Sequence, residues 1–196
     1  VVEASTGNLY RTSPAGTDIT LISGASLYSR PTVTDDGTWL FYIDNSTNLR
    51  AVQTNGSNDQ ALSTGGGFNN VAISPNSRYL AATSVFEEAS IYILDLENSS
   101  NTKVLPLSTP TYTQGVSTGN ILYADRLDWT SDGQVVMYDA FNITVNASGD
   151  TTGYWDINLV RVADTAIARL FPPQPPGVNI GNAVFASNSD NIIAFD

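Results

Sequence analysis

Cysteine and histidine are absent from this chain of 196 residues, and lysine occurs once, at Lys103. Without cysteine there are no disulfides, no thiolate chemistry and no Cys-ligated metal site. Without histidine the chain lacks the commonest general base and any Ser-His-Asp or Cys-His arrangement of its own. Positive charge is scarce: Asp and Glu number 19 against 8 Lys and Arg, a net charge of −11. Such a surface repels phosphate backbones, so nucleic acid is not an expected partner. No apolar run is long enough for a membrane-spanning helix, and the first residues do not read as a signal peptide, so membrane insertion is not expected. The first residue is Val1, and the reading taken from this is a processed product or an excised piece.

What is present is apolar and uncharged-polar: 41% hydrophobic residues but only 14% charged. That suits a β-rich globular protein with a Ser, Thr, Asn and Gly surface, not a disordered chain. Residues 127–139 (LDWTSDGQVVMYD) show the governing unit. Two short apolar runs with β-favouring aromatics flank a Ser-Asp-Gly turn, and Asp132-Gly133 tolerates the positive φ of a tight hairpin. The unit recurs at 32–43 (TVTDDGTWLFYI), 71–83 (VAISPNSRYLAAT) and 184–196 (VFASNSDNIIAFD). Five Asn-x-Ser/Thr triplets, at Asn45, Asn55, Asn98, Asn142 and Asn146, are read as a product of composition rather than as glycan acceptors.

A second repeat runs at a period of about forty. Shifting the chain by that amount puts Asn8-Leu9 on Asn48-Leu49, Gly16 on Gly56, Leu21-Ile22-Ser23 on Ala61-Leu62-Ser63, and Val1-Val2 on Phe41-Tyr42. Fixed periods of this length signal solenoids or propellers. Each full repeat holds four short strands, A to D. In the fourth repeat these are 126–130, 135–140, 157–162 and 167–171, with no helix anywhere. Two insertions set that repeat apart, a Thr/Ser/Gly/Pro loop at 108–120 and a polar loop at 142–154. A polyproline-like connector follows at 172–177.

Pro31 to Gly37, Ser74-Pro75, Thr130 to Gly133, Ile91 to Asp95 and the Leu62-Ser63 ending together resemble the repeat of TolB-like, WD-like β-propellers. The resemblance covers nearly the whole chain and departs from the pattern at 187–190, where Asn-Ser-Asp replaces Pro-Asp-Gly. It implies an all-β propeller of four-stranded antiparallel blades, strand A lining a central channel and strand D outermost. The repeats fall at about 1–24, 25–64, 65–109, 121–177 and 181–196, about four in all. Val1 and Asp196 both align within strand B, so the material amounts to almost four blades. Three assemblies follow: part of a larger ring, two copies joined into eight blades, or four blades closed by 181–196 pairing with 8–23. The larger ring ranks first, and open blade faces would otherwise favour self-association.

The resemblance also implies binding, usually of a protein or peptide, without intrinsic catalysis. Strand A is innermost in the resembling family, and both insertions leave the same end of the fourth repeat. The expected binding surface is therefore at that channel mouth: Tyr123, Asp125, Arg126, Asp128, Tyr154 and Trp155. Charge is sparse in this chain, yet Asp125, Arg126 and Asp128 cluster within four positions. Aromatic residues of loops are better binding candidates than those of strands, which adds Tyr112. Trp39, Tyr42, Tyr79, Phe86, Tyr92, Trp129, Tyr138 and Phe195 are assigned to packing between blades. Aspartates at 35, 36, 125, 128, 132 and 139, with backbone carbonyls, form a donor set suited to Ca²⁺. The preferred reading is that the turn aspartates cap their own turns and that no cofactor is bound. The functional expectation is a non-catalytic binding propeller of an exported protein, periplasmic or extracellular. The runner-up is the gating propeller of a larger prolyl-oligopeptidase-like serine peptidase, and a third reading is a Ca²⁺-dependent lyase or hydrolase.

Overall fold

The structure is a computed structural model that describes residues 5–108, 119–145, 148–172 and 177–196. Val1-Val2, Tyr112, most of the 108–120 insertion and most of the 172–177 connector lie outside the described residues. Every regular element among the described residues is a β-strand, sixteen in all, and the pairing is antiparallel throughout.

Five sheets follow one another along the chain. The first pairs β1 (Leu9–Arg11) with β2 (Thr20–Ser23). The second is β3 (Thr32–Val33), β4 (Trp39–Ile43), β5 (Leu49–Gln53) and β6 (Gln60–Ala61). The third is β7 (Phe68–Ile73), β8 (Tyr79–Ser84), β9 (Ser90–Asp95) and β10 (Lys103–Pro106). The fourth is β11 (Gly119–Trp129), β12 (Val135–Val145), β13 (Thr151–Arg161) and β14 (Ile167–Arg169). The last pairs β15 (Val184–Ala186) with β16 (Ser189–Ala194). Three full blades thus stand between two half-blades. The half-blades carry the expected strand types, C and D at the start and A and B at the end, but they form separate sheets, so the four-blade closure is not adopted.

Side chains alternate across a strand, and the second strand of each blade is covered on both faces, so its sequence is apolar almost without interruption. Leu40 and Tyr42 face the first sheet, where they meet Leu9, Ile22 and Val52. Phe41 and Ile43 point the other way, onto Val71 and Leu80 of the third sheet. Val136, Tyr138 and Ala140 pack with Ala81, Ile91, Ile93 and Leu105 between the third and fourth sheets. Met137 turns towards the fifth sheet, with Ile157 and Ala183. At the outer ends Ile19 and Leu21 on one side and Ile192 and Phe195 on the other remain exposed.

The A–B turns repeat atom by atom. Gly37, Ser77 and Gly133 have φ of 69°, 57° and 66°. Each donates its N–H to the carbonyl three residues back, Thr34, Ser74 or Thr130. Asp36, Asn76 and Asp132 accept from the backbone N–H two residues on, at 3.0, 3.1 and 2.9 Å. The turn aspartates therefore cap their own turns, and the Thr34 and Thr130 hydroxyls hold Asp36 and Asp132 below the usual carboxylate range.

Three expectations need correction. The 142–154 insertion is not a loop. Asn142 pairs with Tyr154, Ile143 with Gly153, Thr144 with Thr152 and Val145 with Thr151, so it continues β12 and β13 outward as a long hairpin. Strand A of this blade likewise begins at Gly119 rather than at Arg126. Among the aromatics assigned to blade packing, Phe86 is 76% exposed, so packing does not account for it, whereas Phe195, though half exposed, stacks on Phe171 just beyond β14 at 4.8 Å.

Candidate binding site at the channel mouth

The innermost strands β3, β7, β11 and β15 enclose a groove of about 690 Å³. Aligning the A–B turns puts Arg30, Asn70, Arg126 and Asn182 at one equivalent position, and all four line that groove. The position before them is Ser29, Asn69, Asp125 and Gly181.

Two of these strands are irregular at this level. In β11, Ala124 pairs with Ala140 and Leu127 with Tyr138, so Asp125 and Arg126 together oppose the single residue Asp139. In β7, Phe68 pairs with Ser84 and Val71 with Ala82, so Asn69 and Asn70 oppose Thr83. Such an extra residue bends the strand and re-aims its side chains. Here the two bulges meet: the Asn69 and Asn70 side-chain amides both donate to Asp125 Oδ1, the former at 3.4 Å. Arg126 donates from Nε to Asn182 Oδ1 at 3.2 Å.

Asp139 sits on the same face of β12 as Met137, towards the fifth sheet. It is 4% exposed. Its Oδ2 accepts the backbone N–H of Asn182 at 2.6 Å, and its Oδ1 has no partner. Burial pushes its carboxyl up to about 6, against the pull of the Asn182 and Ala183 amides; the nearby Asp125 carboxylate adds to the rise. Burial likewise raises Asp125.

The structure brings Tyr123, Asp125, Arg126 and Trp155 to this mouth. Tyr123, Phe141 and Trp155 are cross-strand neighbours with ring centroids 5.1 to 5.5 Å apart. Tyr154 is set apart from them. It alternates to the opposite face of β13, is buried, and its hydroxyl accepts from Arg169 Nη2 at 3.3 Å. Asp128 lines the groove but is occupied: its oxygens accept the N–H groups of Trp129 at 2.9 Å and Phe185 at 2.7 Å. Arg126 takes Asn182 rather than an ion-pair role with Asp125 or Asp128. Among the described residues no three His, Cys, Asp or Glu side chains are placed so as to hold a metal ion together.

Sequence reasoning passes over Asn70, Asn179, Gly181 and Asn182 as site residues and places Asp139 only among the Ca²⁺ donors. The register of the last hairpin against the A–B turns marks Asn182 and Gly181 as equivalents of Arg126 and Asp125, and that signal is present in the sequence. With no histidine or cysteine at hand, the arrangement is suited to recognition by charge, hydrogen bonds and aromatic contact.

No protein-family model matches the chain, and no curated protein matches it. Solved structures do. A TolB candidate from Agrobacterium tumefaciens superposes with a TM-score of 0.63 at 16% identity, covering 91% of this chain and 59% of that one. TolB from Acinetobacter baumannii gives 0.55 at 15% identity, covering 83% and 37%. The Pan2 WD40 domain of Neurospora crassa gives 0.53 at 12% identity, covering 90% and 50%. The fold is therefore a β-propeller of the TolB and WD40 kind, and the chain spans less than two thirds of each of these structures.

Proposed function

We propose that this chain is a non-catalytic binding propeller that takes a protein or peptide segment at the channel mouth where β11 bulges. The observation that carries the reading is the double bulge. Two adjacent inner strands each add a residue at the same level, and the Asn69 and Asn70 amides of one bulge donate to Asp125 of the other, beside the Tyr123, Phe141 and Trp155 rings. Aromatic and arginine side chains at the rim of a rigid concave site are the usual anchors of protein recognition.

An exported setting, periplasmic or extracellular, accords with the lack of cysteine and the single lysine. No helix among the described residues is long and apolar enough to cross a membrane. Further blades of the same ring would cover the exposed Ile19, Leu21, Ile192 and Phe195. The partial coverage of the TolB structures supports that placement.

The test substitutes Tyr123, Arg126 and Trp155 singly by Ala and measures both thermal stability and retention of a partner recovered by pull-down. Arg126→Ala and Trp155→Ala are expected to lose the partner while keeping most of their stability. Loss of stability in all three with binding intact would make these residues structural.

A further inference from the structure

The segment leading into β15 leaves a small pocket against the fourth sheet, of about 260 Å³, walled by Asp125, Asp139, Trp155, Asn179, Gly181 and Asp196. Its volume lies below that of drug-sized sites and suits one side chain or one chain end. Three carboxylates contribute to it. Asp125 accepts the Asn69 and Asn70 amides at Oδ1. Asp196 accepts at Oδ1 from Asn182 Nδ2 at 2.8 Å, and its backbone is clamped to Gly181 by paired bonds of 2.9 and 3.1 Å. Asp139 has an unpartnered Oδ1 with its side chain almost wholly buried.

A buried carboxylate oxygen without a donor is costly and is normally satisfied. One guanidinium, Arg126, acts on Asp125 and Asp139, and its Nε is already given to Asn182. The site is thus short of cationic donors. Trp155 forms the aromatic wall, held by its own backbone: its N–H donates to Asn179 Oδ1 at 3.0 Å and its carbonyl accepts from Ile180 at 3.2 Å. A pre-positioned indole beside carboxylates is the arrangement that recognises an ammonium or guanidinium group, by charge and by cation–π attraction. Gly181 belongs to the same device. A Cβ there would lie 3.1 Å from Asp139 Oδ2, crowding the carboxylate.

We infer that this pocket binds a positively charged nitrogen group of a peptide, a Lys or Arg side chain or a free N-terminus, between Asp139, Asp125 and the Trp155 ring. The inference rests on the binding reading above and names the chemistry of its partner. The net charge of −11 would draw such a group in before contact.

The experiment titrates the chain by calorimetry with three probes. Acetyl-lysine methylamide carries a side-chain cation only, glycine amide carries an α-ammonium only, and acetyl-norleucine methylamide is neutral. One of the first two is expected to bind at least tenfold more tightly than the third, and which one it is identifies the source of the cation. Asp139→Asn and, separately, Asp125→Asn should each weaken that probe at least tenfold with the thermal transition retained. Asp36→Asn, in a distant turn, should leave it unchanged. Equal binding of the neutral probe, no binding of either cation, or unchanged binding in both Asp139→Asn and Asp125→Asn overturns the inference. If the cations fail while Trp155→Ala still loses the pulled-down partner, the pocket chemistry falls and the binding face stands.

Discussion

Oδ2 of Asp128 accepts the backbone N–H of Phe185 at 2.7 Å, joining the inner strand of the fourth sheet to the inner strand of the last hairpin. Burial raises this carboxyl, and the Phe185 and Trp129 amides pull it back only in part. Asp128→Ala should therefore loosen the last hairpin more than the rest of the fold. A hydrogen bond to a charged group is worth about 1.5–3 kcal/mol, and the variant should lose stability on that order. Amide hydrogen exchange would check it, with faster exchange expected across β15 and β16 and little change in β8 and β9. Uniform acceleration throughout would mean that Asp128 supports the whole blade rather than the junction.

The Arg78–Asp95 pair reads in the opposite direction with pH. Asp95 accepts from Arg78 Nη2 at 2.9 Å, from the Glu97 amide at 3.0 Å and from Asn101 Nδ2 at 3.2 Å. The Arg78 bond, ahead of the others, holds its carboxyl well below the usual range. A depressed carboxylate contributes stability above its unfolded value and loses it as pH falls through the folded one. Asp95→Asn should melt earlier than the parent at pH 7, and the gap should narrow steadily below pH 4. A gap that stays constant down to pH 2 would show that Asp95 acts by shape and not by charge.

Much of this architecture is written plainly in the chain, for a physical reason. Residues 39–43, 79–84 and 135–140 are covered on both faces, so they stand out as apolar runs broken only at Thr83, Ser84 and Asp139, and the Asp-Gly and Asn-Ser turns between strands recur in register. The outward extension of β12 and β13 is hidden because its support is its own ladder and the pairing of residues 119–121 of β11 with residues 142–144, neither of which needs an apolar pattern. Asn142, Thr144, Thr151 and Thr152 are polar, and Gly149 and Gly153 read as loop. The ladder from Asn142↔Tyr154 to Val145↔Thr151 is visible only once the partner strand is known. The site was half legible. Asp125 and Arg126 stand out as adjacent charges in a charge-poor chain. The bulge that sets both against Asp139 is a property of register, and the donor to Asp139, the Asn182 amide, lies 43 residues away. Tyr154 and Trp155 are neighbours in sequence, and both stand at the edge of the 142–154 insertion. Strand alternation sends them to opposite faces.

Asp139 makes a prediction with its own pH window. Its carboxyl rises from 3.8 to about 6 on folding, so between those values the folded state binds more protons than the unfolded one. Stability from this group therefore falls as pH rises through the window, by at most about 3 kcal/mol at 1.36 kcal/mol per unit. Asp139→Asn mimics the protonated form and can still accept from Asn182. In denaturant titrations it should match the parent at pH 4 and exceed it at pH 8. The facing charges are Asp125, which adds to the rise, and Arg126, which opposes it; both act only on the ionised carboxylate of the parent and are therefore part of the difference between the two proteins. A variant less stable than the parent at pH 8 would mean that the ionised carboxylate is held by more than the geometry records.

Gly153 tests whether the outer hairpin holds its aromatic cluster by shape. Gly153 pairs with Ile143, two residues along from the Phe141–Trp155 pair and on the same face. A Cβ on Gly153 would lie 2.6 Å from Phe141 Cζ, closer than van der Waals contact permits, so the ring rests on the bare backbone of this glycine. Its φ is not in the left-handed region, and the constraint is therefore one of space and not of backbone strain. Gly153→Ala must push the Phe141 ring away, and with it the contacts of 5.2 Å to Tyr123 and 5.1 Å to Trp155. Overpacking of this kind costs about 1–3 kcal/mol, so the melting point should fall. The near-ultraviolet circular dichroism of the cluster should change at the same time, while the far-ultraviolet spectrum keeps its strand signature. Because Trp155 also walls the small acidic pocket, the same substitution should weaken the cationic probe, and Phe141→Leu combined with Gly153→Ala should recover stability without recovering the aromatic signal. An Ala at 153 that leaves the near-ultraviolet spectrum unchanged would show that the ring has another resting place and that Gly153 is not what positions it.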